Sequence, residues 1–558
     1  MRKSRVLAVL TSSAAISLGL ALGPALDAAH AAPPPVRYGG ILHVVMPWVT
    51  IPDNFNPLNP ATTGATAGGT GSLIYEPLMY DNAYTGTLTP MLATGYVWNS
   101  AGTRLTLTIR SGVKWSDGKL FSASDVAFTF NYLHAYTALD VNSLWTTQGL
   151  SSVKATNPTT VRFSFRKSNV VVLPYVVDQL IVPKALWSRI TDPVTYTNPK
   201  PVGTGPMTLL SYTPTQVTYR KNPHYRVTGR PYISGVTMTA VKSNDTAELM
   251  LLEGDAAMTY YAIPDPNATY VATDPADNHY FWPVIQLNYL YFNTTEAPFN
   301  DVAFRKGVAQ ALNDDVIARS AYYGAIPPGN GPVETGVTNG QDAEWVPSAL
   351  SSLEWQYSPT QAAATLSAAG YKDIKGFLEN HQGQVLPPFN ILVGEGWGDY
   401  ISIAQTITEE LAPLGIHTTT DQQPYPTYAA SASAGTYNLL ISWSNNNNGT
   451  PYYAYDTLLD GNNNTDWERY TSAADTAALS SFASTTNLAT QKADMVTIEK
   501  DILTNAPVVP LTGRPNFLDY STKYFVGWPS ASDPYNAGEA PDNFLGGAEQ
   551  MYLNVHLK

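Results

Sequence analysis

Residues 105–133 read LTLTIRSGVKWSDGKLFSASDVAFTFNYL, a strand pattern that runs through a turn into a helix pattern. In residues 105–109 apolar side chains alternate with threonine, which is the period of a half-buried strand. The Asp-Gly pair at 117–118 supplies a turn. Ser122, with Asp125 three residues later, predicts a helix start, because the hydroxyl oxygen can accept an amide of the first turn. The segment therefore predicts an α/β protein.

A second segment, residues 290–313, reads LYFNTTEAPFNDVAFRKGVAQALN and predicts another helix. Asn300 stands where a residue can cap this helix, and Arg305 is expected to face water. Its apolar stripe consists of Phe304, Val308, Ala311 and Leu312.

Both segments resemble the peptide-binding family of extracellular solute receptors of ABC importers (family 5), which includes oligopeptide-, dipeptide- and nickel-binding proteins. Its usual runs are R-x-G-V-K-(F/W)-x-D-G and Y-x-x-F-N-T-x-x-x-P-F-x-D. The runs GTGPMTLLSYTPTQVTYRKNPHY at 203–225 and ELMLLEGDAA at 248–257 are also similar to it. The resemblance covers nearly all of residues 39–558 and is strongest before residue 313.

The resemblance implies a two-lobe periplasmic-binding-protein fold, type II-like, with an extra domain and a ligand cleft between lobes that a hinge joins. Lobe 1 is expected to be discontinuous, and lobe 2 lies between the two crossing segments that act as the hinge. Closure on a ligand is the expected motion. The expected divisions are residues 1–31 as a signal peptide, 32–74 with 201–289 and 512–558 as lobe 1, 75–200 as the extra domain, and 290–511 as lobe 2.

The N-terminus has the pattern of a secretory signal. Arg2, Lys3 and Arg5 precede an apolar stretch at 6–22, and Ala-His-Ala at 29–31 is a small-x-small cleavage site. The alternative is an uncleaved N-terminal anchor. The chain has no cysteine, which excludes disulfides and a lipid on a cysteine. We therefore expect an exported protein, periplasmic or on the extracellular face of the membrane, without a lipid anchor.

The charge composition limits the partners. The formal charge is −13, which argues against nucleic acid and anionic membranes as partners. Charged residues make up 13% of the chain, against about 25% in ordinary globular proteins. Neutral polar residues keep a surface hydrated without ionised carboxylates, so the composition suggests a protein that works in an acidic exterior.

The candidate ligand wall is the run WSNNNNGTP at 443–451. In peptide binders of the family, an aspartate three residues after this tryptophan holds the amino terminus of the peptide. Asn446 stands at that position and lacks the charge for such a contact. Adjacent asparagine amides suit the hydroxyls of a sugar, and nearby aromatic rings can stack on its apolar face. The alternative is a surface turn flanked by core aromatics.

The opposite wall is expected near the ends of the lobe 1 strands, although large aromatic residues more often serve packing. Asn288, beside the hinge, is a weaker candidate. The predicted ligand-binding residues are Trp48, Tyr260, Tyr261, Asn288, Trp397, Trp443, Ser444, Asn445, Asn446, Asn447, Tyr452 and Tyr453.

Catalytic motifs are absent from the sequence, which has no G-x-S-x-G, H-E-x-x-H or G-x-x-x-x-G-K-(S/T) run. No cofactor or metal is expected. The sequence therefore predicts a non-enzymatic receptor, monomeric by resemblance, that captures an oligopeptide or similar small oligomer and delivers it to ABC permease subunits. An oligosaccharide ligand is the alternative. A sensor subunit and a secreted hydrolase are rival functions, and the hydrolase would need facing carboxylates.

Overall fold

Two β-sheets organise the computed structural model, which describes residues 36–46, 50–59, 69–260, 262–326, 345, 348–443, 450–459, 467–538 and 547–558. The strands are β1 Ile41–Met46, β2 Met79–Asn82, β3 Thr87–Pro90, β4 Ala93–Trp98, β5 Arg104–Ile109, β6 Leu150–Asn157, β7 Thr160–Phe165, β8 Met207–Thr213, β9 Gln216–Lys221, β10 Gly235–Ala240, β11 Met258–Thr259, β12 Asn278–Tyr280, β13 Val284–Phe292, β14 Lys372–Asp373, β15 Leu378–Glu379, β16 Phe389–Gly394, β17 Thr418–Gln423, β18 Leu439–Trp443, β19 Val508–Pro515, β20 Asp519–Ser521, β21 Phe525–Val526 and β22 His556–Leu557.

Helices are interleaved with these strands, as the sequence predicted for an α/β protein. They are α1 Ala123–Ala135, α2 Leu173–Val177, α3 Lys184–Trp187, α4 Asn244–Glu253, α5 Pro266–Thr269, α6 Val302–Ala311, α7 Asp314–Tyr322, α8 Pro359–Ala368, α9 Gly398–Leu411, α10 Tyr425–Ala434, α11 Tyr452–Leu459, α12 Ala473–Ser484, α13 Leu488–Asn505 and α14 Gly547–Asn554. None of the helices in the described ranges is both long enough and apolar enough to cross a membrane.

The larger sheet has the strand order β12-β20-β11-β1-β10-β9-β8, and β1 runs parallel to β10 and β11. The second sheet has the order β17-β16-β18-β13-β19. In it β16 is parallel to β17 and β18, whereas β13 is antiparallel to β18 and β19. A separate four-stranded antiparallel sheet, β4-β5-β7-β6, lies within residues 75–200.

Each of the two large sheets has its own hydrophobic core. The first core joins the seven-stranded and four-stranded sheets and includes side chains from residues 42–260 and 518–555. The second core surrounds the five-stranded sheet and draws most of its side chains from residues 282–511. The chain passes from the first core to the second at residues 282–284 and returns at 515–518. At this double crossing the amide of Asn516 donates to Pro283 O (3.0 Å) and that of Phe281 to Leu518 O (2.8 Å).

The predicted strand and helix of residues 105–133 are confirmed. Strand β5 ends at Ile109, and α1 begins after Ser122. The side chain of Ser122 accepts from Ser124 N (3.2 Å), and its own amide donates to Asp125 (2.9 Å). This reciprocal cap satisfies amides that the first helical turn leaves unpaired.

Two predictions about residues 290–313 were wrong. Asp301, not Asn300, caps α6 and accepts from Ala303 N (2.9 Å), because the helix begins at Val302 and the residue immediately before it is Asp301. Arg305 is buried rather than solvated, and its guanidinium donates to carbonyls at the end of α13, including Asn505 O (2.6 Å). A helix C-terminus leaves such carbonyls unpaired and carries partial negative charge, which suits a cation.

Candidate functional site

The carboxyl ends of the strands in the five-stranded sheet meet at one edge. The parallel strands end there at Gly394, Gln423 and Trp443. Because β13 and β19 are antiparallel to each other, the start of β13 and the end of β19 lie at the same edge, which brings in Gln286 and Arg514. In α/β proteins the carboxyl edge of the parallel strands is the usual place for a ligand.

Aromatic side chains gather at this edge around Trp397. Its ring centroid lies 5.7 Å from that of Trp443, 5.4 Å from Tyr400, 5.1 Å from Tyr428 and 6.0 Å from Tyr425. We call these five residues the edge cluster. The two tryptophans are half-buried, Tyr400 and Tyr428 are buried, and Tyr425 is 58% exposed. The cluster thus has a packed base and an accessible outer surface.

A glycine at the end of β16 makes room for the centre of this cluster. A Cβ at Gly394 would lie 2.3 Å from the ring of Trp397, so only glycine lets the indole fold back over the strand end. The amide of Trp397 donates to Gly394 O (3.2 Å), and Gly396 between them has a φ of 77°. The short turn between β16 and α9 therefore sets the position of the indole.

A cation lies against the cluster. The guanidinium carbon of Arg514 is 4.9 Å from the ring centroid of Trp443, a cation–π contact, and Arg514 Nη1 donates to Gln286 Oε1. Burial raises the pKa of the Asp399 carboxyl, and the charge of Arg514 opposes that rise. Arg514 therefore joins the two crossing strands and the aromatic surface.

Asn288 lies behind the edge cluster, inside the second core. It is fully buried, its Nδ2 donates to the hydroxyl of Tyr322 (2.8 Å), and its Oδ1 accepts from that of Tyr400 (2.8 Å). Both ends of the amide are thus bonded to protein. Most of β13 is buried on both faces, so alternation along this strand does not mark a solvent side.

The tyrosines of the predicted set that the structure describes pack elsewhere. Tyr453 is 4% exposed, its hydroxyl donates to Val171 O, and its ring meets that of Tyr175 edge-on at 5.7 Å. Tyr452 is half-buried and stacks on Phe482 at 5.3 Å. Tyr260 belongs to the first core.

Of the predicted residues that the structure describes, it brings Trp397 and Trp443 together. The predicted residues Trp48, Tyr261, Ser444, Asn445, Asn446 and Asn447 lie outside the described residues. Sequence reasoning missed Tyr425 and Arg514. A lone arginine near the end of the otherwise uncharged strand VVPLTGRP was a signal for Arg514. Within the described ranges no three His, Cys, Asp or Glu side chains are grouped as a metal site would need.

Comparison with known proteins gives this arrangement a context. The glutathione-binding protein GsiB of Salmonella typhi is 25% identical over 336 residues, which are 58% of this chain and 61% of GsiB. The chain therefore matches less than two thirds of that relative's length.

Solved structures match a larger part of this chain than GsiB does. A periplasmic oligopeptide-binding protein of an oligopeptide ABC transporter from Thermotoga maritima matches with a TM-score of 0.85 at 21% identity, covering 93% of this chain and 99% of that one. Its mannohexaose-bound form matches with a TM-score of 0.79 at 22% identity, with 93% and 98% covered. At these identities the likeness concerns the fold, and it confirms the predicted two-lobe architecture.

Residues 87–466 match the family described as bacterial extracellular solute-binding proteins, family 5 Middle. This family and the two-lobe fold agree with the resemblance found in the sequence. The chain belongs to the family 5 bacterial extracellular solute-binding proteins.

Proposed function

We propose that this protein is the exported, non-enzymatic solute receptor of an ABC importer and that it encloses a neutral oligosaccharide between its lobes. The observation that carries the proposal is the edge cluster, with Trp397 and Trp443 at the carboxyl edge of the second sheet and Tyr425 at its exposed rim. Aromatic faces stack on the apolar C–H face of a sugar ring, and neighbouring amides bond its hydroxyls. The asparagines at 445–448 follow Trp443 in the sequence after one serine.

The relatives support a small oligomer as the ligand class. The Thermotoga maritima protein, which covers almost the same span, binds mannohexaose in one of its structures. Delivery to permease subunits follows from the proposed role, and the transport energy comes from those partners. We propose that the lobes close about the double crossing at residues 282–284 and 515–518, which lies a few residues from the expected divisions at 289 and 512.

An oligopeptide is the second candidate, and Arg514 favours it. A guanidinium at the edge of the site can bind a peptide carboxylate through paired N–H groups. The curated relatives include glutathione-binding proteins. The two ligand classes thus depend on different residues, the aromatic rim for a sugar and Arg514 for a carboxylate.

Replacing Tyr425 by alanine is expected to weaken oligosaccharide binding by a factor of roughly two to ten, since an aromatic stacking contact contributes roughly 0.5–1.5 kcal/mol. The fold should tolerate the change, because Tyr425 is 58% exposed. Calorimetric titration of the exported chain with mannose-, glucose- and xylose-based oligosaccharides and with tri- to pentapeptides measures the effect. Tyr524→Ala is the matched control, since Tyr524 is 57% exposed and lies outside the edge cluster.

Each result has a distinct meaning. Sugar binding that Tyr425→Ala weakens and Tyr524→Ala leaves unchanged supports the proposal. Binding of peptides alone, lost in Arg514→Gln, would replace the sugar by the second candidate. If neither panel binds, the oligomer-receptor proposal itself fails.

A further inference from the structure

An open cavity of about 580 Å³ lies beside the loop that follows β5, away from the edge cluster. Two arginines line it, Arg110 from this loop and Arg226 from the segment after β9. The hydroxyl-bearing residues in its wall are Thr94, Thr108, Ser111 and Thr159. We call it the arginine cavity.

Arg226 offers unused donors to this cavity. Its Nε donates to Oε1 of the fully buried Glu76 (2.7 Å), which fixes the guanidinium from behind. Among the described residues no acceptor lies within hydrogen-bond distance of its two terminal nitrogens. A partly buried guanidinium with free N–H groups is a strong donor for an oxyanion.

Arg110 brings a second guanidinium to the same space. Its Nε donates to Met91 O (2.7 Å) and its Nη2 to Pro90 O (3.4 Å). Its Nη1 has no acceptor in the described part of the chain. Burial and the charge of Arg226 lower the pKa of Arg110, so the two cations repel each other across the cavity.

The cavity lining is basic, since it contains two arginines and no carboxylate. Behind the lining, Glu76 pairs with Arg226 at 2.7 Å. Glu549 lies deeper and accepts from the hydroxyl of Tyr225 (2.8 Å), and burial together with the nearby Glu76 raises the pKa of its carboxyl well above the ordinary value.

We propose that the arginine cavity binds a small oxyanion of the phosphate class, free or as a monoester. Two guanidiniums offer several N–H donors, and the threonine and serine hydroxyls add further donors, which suits a group with three or four oxygens. Bound there, the anion joins the loop of the four-stranded sheet, through Arg110, to the seven-stranded sheet, through Arg226. This inference is independent of the proposed solute function.

The test is calorimetric titration of the exported chain with inorganic phosphate, glycerol phosphate and acetate at constant ionic strength. Wild-type protein is expected to bind one phosphate-class anion per chain at least tenfold more tightly than acetate. Ser111→Glu places a carboxylate at the cavity wall and is expected to weaken that binding at least tenfold. Ser111→Gln, of similar size and neutral, is expected to stay within threefold of wild type. Ser111 is exposed, so both variants should keep the parental unfolding midpoint.

The separate titrations with inorganic phosphate and glycerol phosphate distinguish a free anion from a monoester. Binding of inorganic phosphate assigns the site to the free ion, and binding of glycerol phosphate alone assigns it to a monoester. No saturable binding of either, equal binding of acetate, or unchanged affinity in Ser111→Glu would overturn the inference. Arg110→Gln gives a second check and should also lower affinity at least tenfold.

Discussion

Replacing Gly203 by alanine is expected to destabilise the fold strongly. The added Cβ would lie 1.8 Å from the backbone oxygen of Ile74 and 2.6 Å from its carbonyl carbon. Backbone atoms cannot move aside as a flexible side chain can. Ser116 N donates to Gly203 O (2.8 Å), and Gly205 N donates to Ile74 O (2.8 Å), so this turn holds three segments of the first core together.

The expected loss is on the order of 4 kcal/mol or more in the free energy of unfolding, a size that follows from strain at a fixed backbone position. Ordinary domains have about 5–15 kcal/mol in total. Urea unfolding followed by circular dichroism measures the loss. Gly95→Ala is the control, because nothing lies within 4 Å of a Cβ at Gly95. An unfolding midpoint for Gly203→Ala equal to that of Gly95→Ala would contradict the prediction.

Stability is expected to rise as the medium becomes acidic, between about pH 8 and pH 4. Asp475 in α12 is fully buried beside Asp501 of α13, whose carboxyl accepts from Tyr470 (2.7 Å) and Asn505 (2.9 Å). Burial and the charge of Asp501 raise the pKa of Asp475 to about 8. Burial likewise raises the pKa of Asp81 to about 7 and that of Glu410 to about 7.

The direction in which the free energy of unfolding changes with pH follows from proton linkage. The folded chain holds these protons at pH values where the unfolded chain has released them, because an unfolded carboxyl titrates near pH 4. The stabilisation is therefore complete below about pH 4 and is lost as the pH rises through the folded pKa values of about 7 and 8. A shift of one pKa unit corresponds to about 1.4 kcal/mol, and all three shifts change the free energy of unfolding in the same direction.

Asp475→Asn tests this dependence. The amide keeps the shape of the protonated carboxyl and has no proton to lose, so the free energy of unfolding is expected to vary less with pH and to be higher at pH 8. Urea unfolding at pH 4, 6 and 8 measures it. Asp255→Asn, at an exposed carboxyl, should keep the parental dependence. A parent protein more stable at pH 8 than at pH 4 would refute both this prediction and the acidic-exterior hypothesis from composition.

The sequence by itself determined the features that depend on neighbours along the chain. Alternation from residue 105 to 109 predicted β5, and Ser122 with Asp125 predicted the start of α1, because strand periodicity and helix capping act over a few residues. Trp397 and Trp443 were also predicted as ligand contacts, and both end up at the same sheet edge.

Only the tertiary structure decided which distant residues meet. Gln286 and Arg514 are 228 positions apart, and they touch because β13 and β19 are antiparallel neighbours. Helices α7 and α9 carry Tyr322 and Tyr400, which enclose Asn288, a weaker ligand candidate in the sequence because of its place beside the hinge. Sheet order and register depend on the packing of the whole core, and no local period in the sequence encodes them.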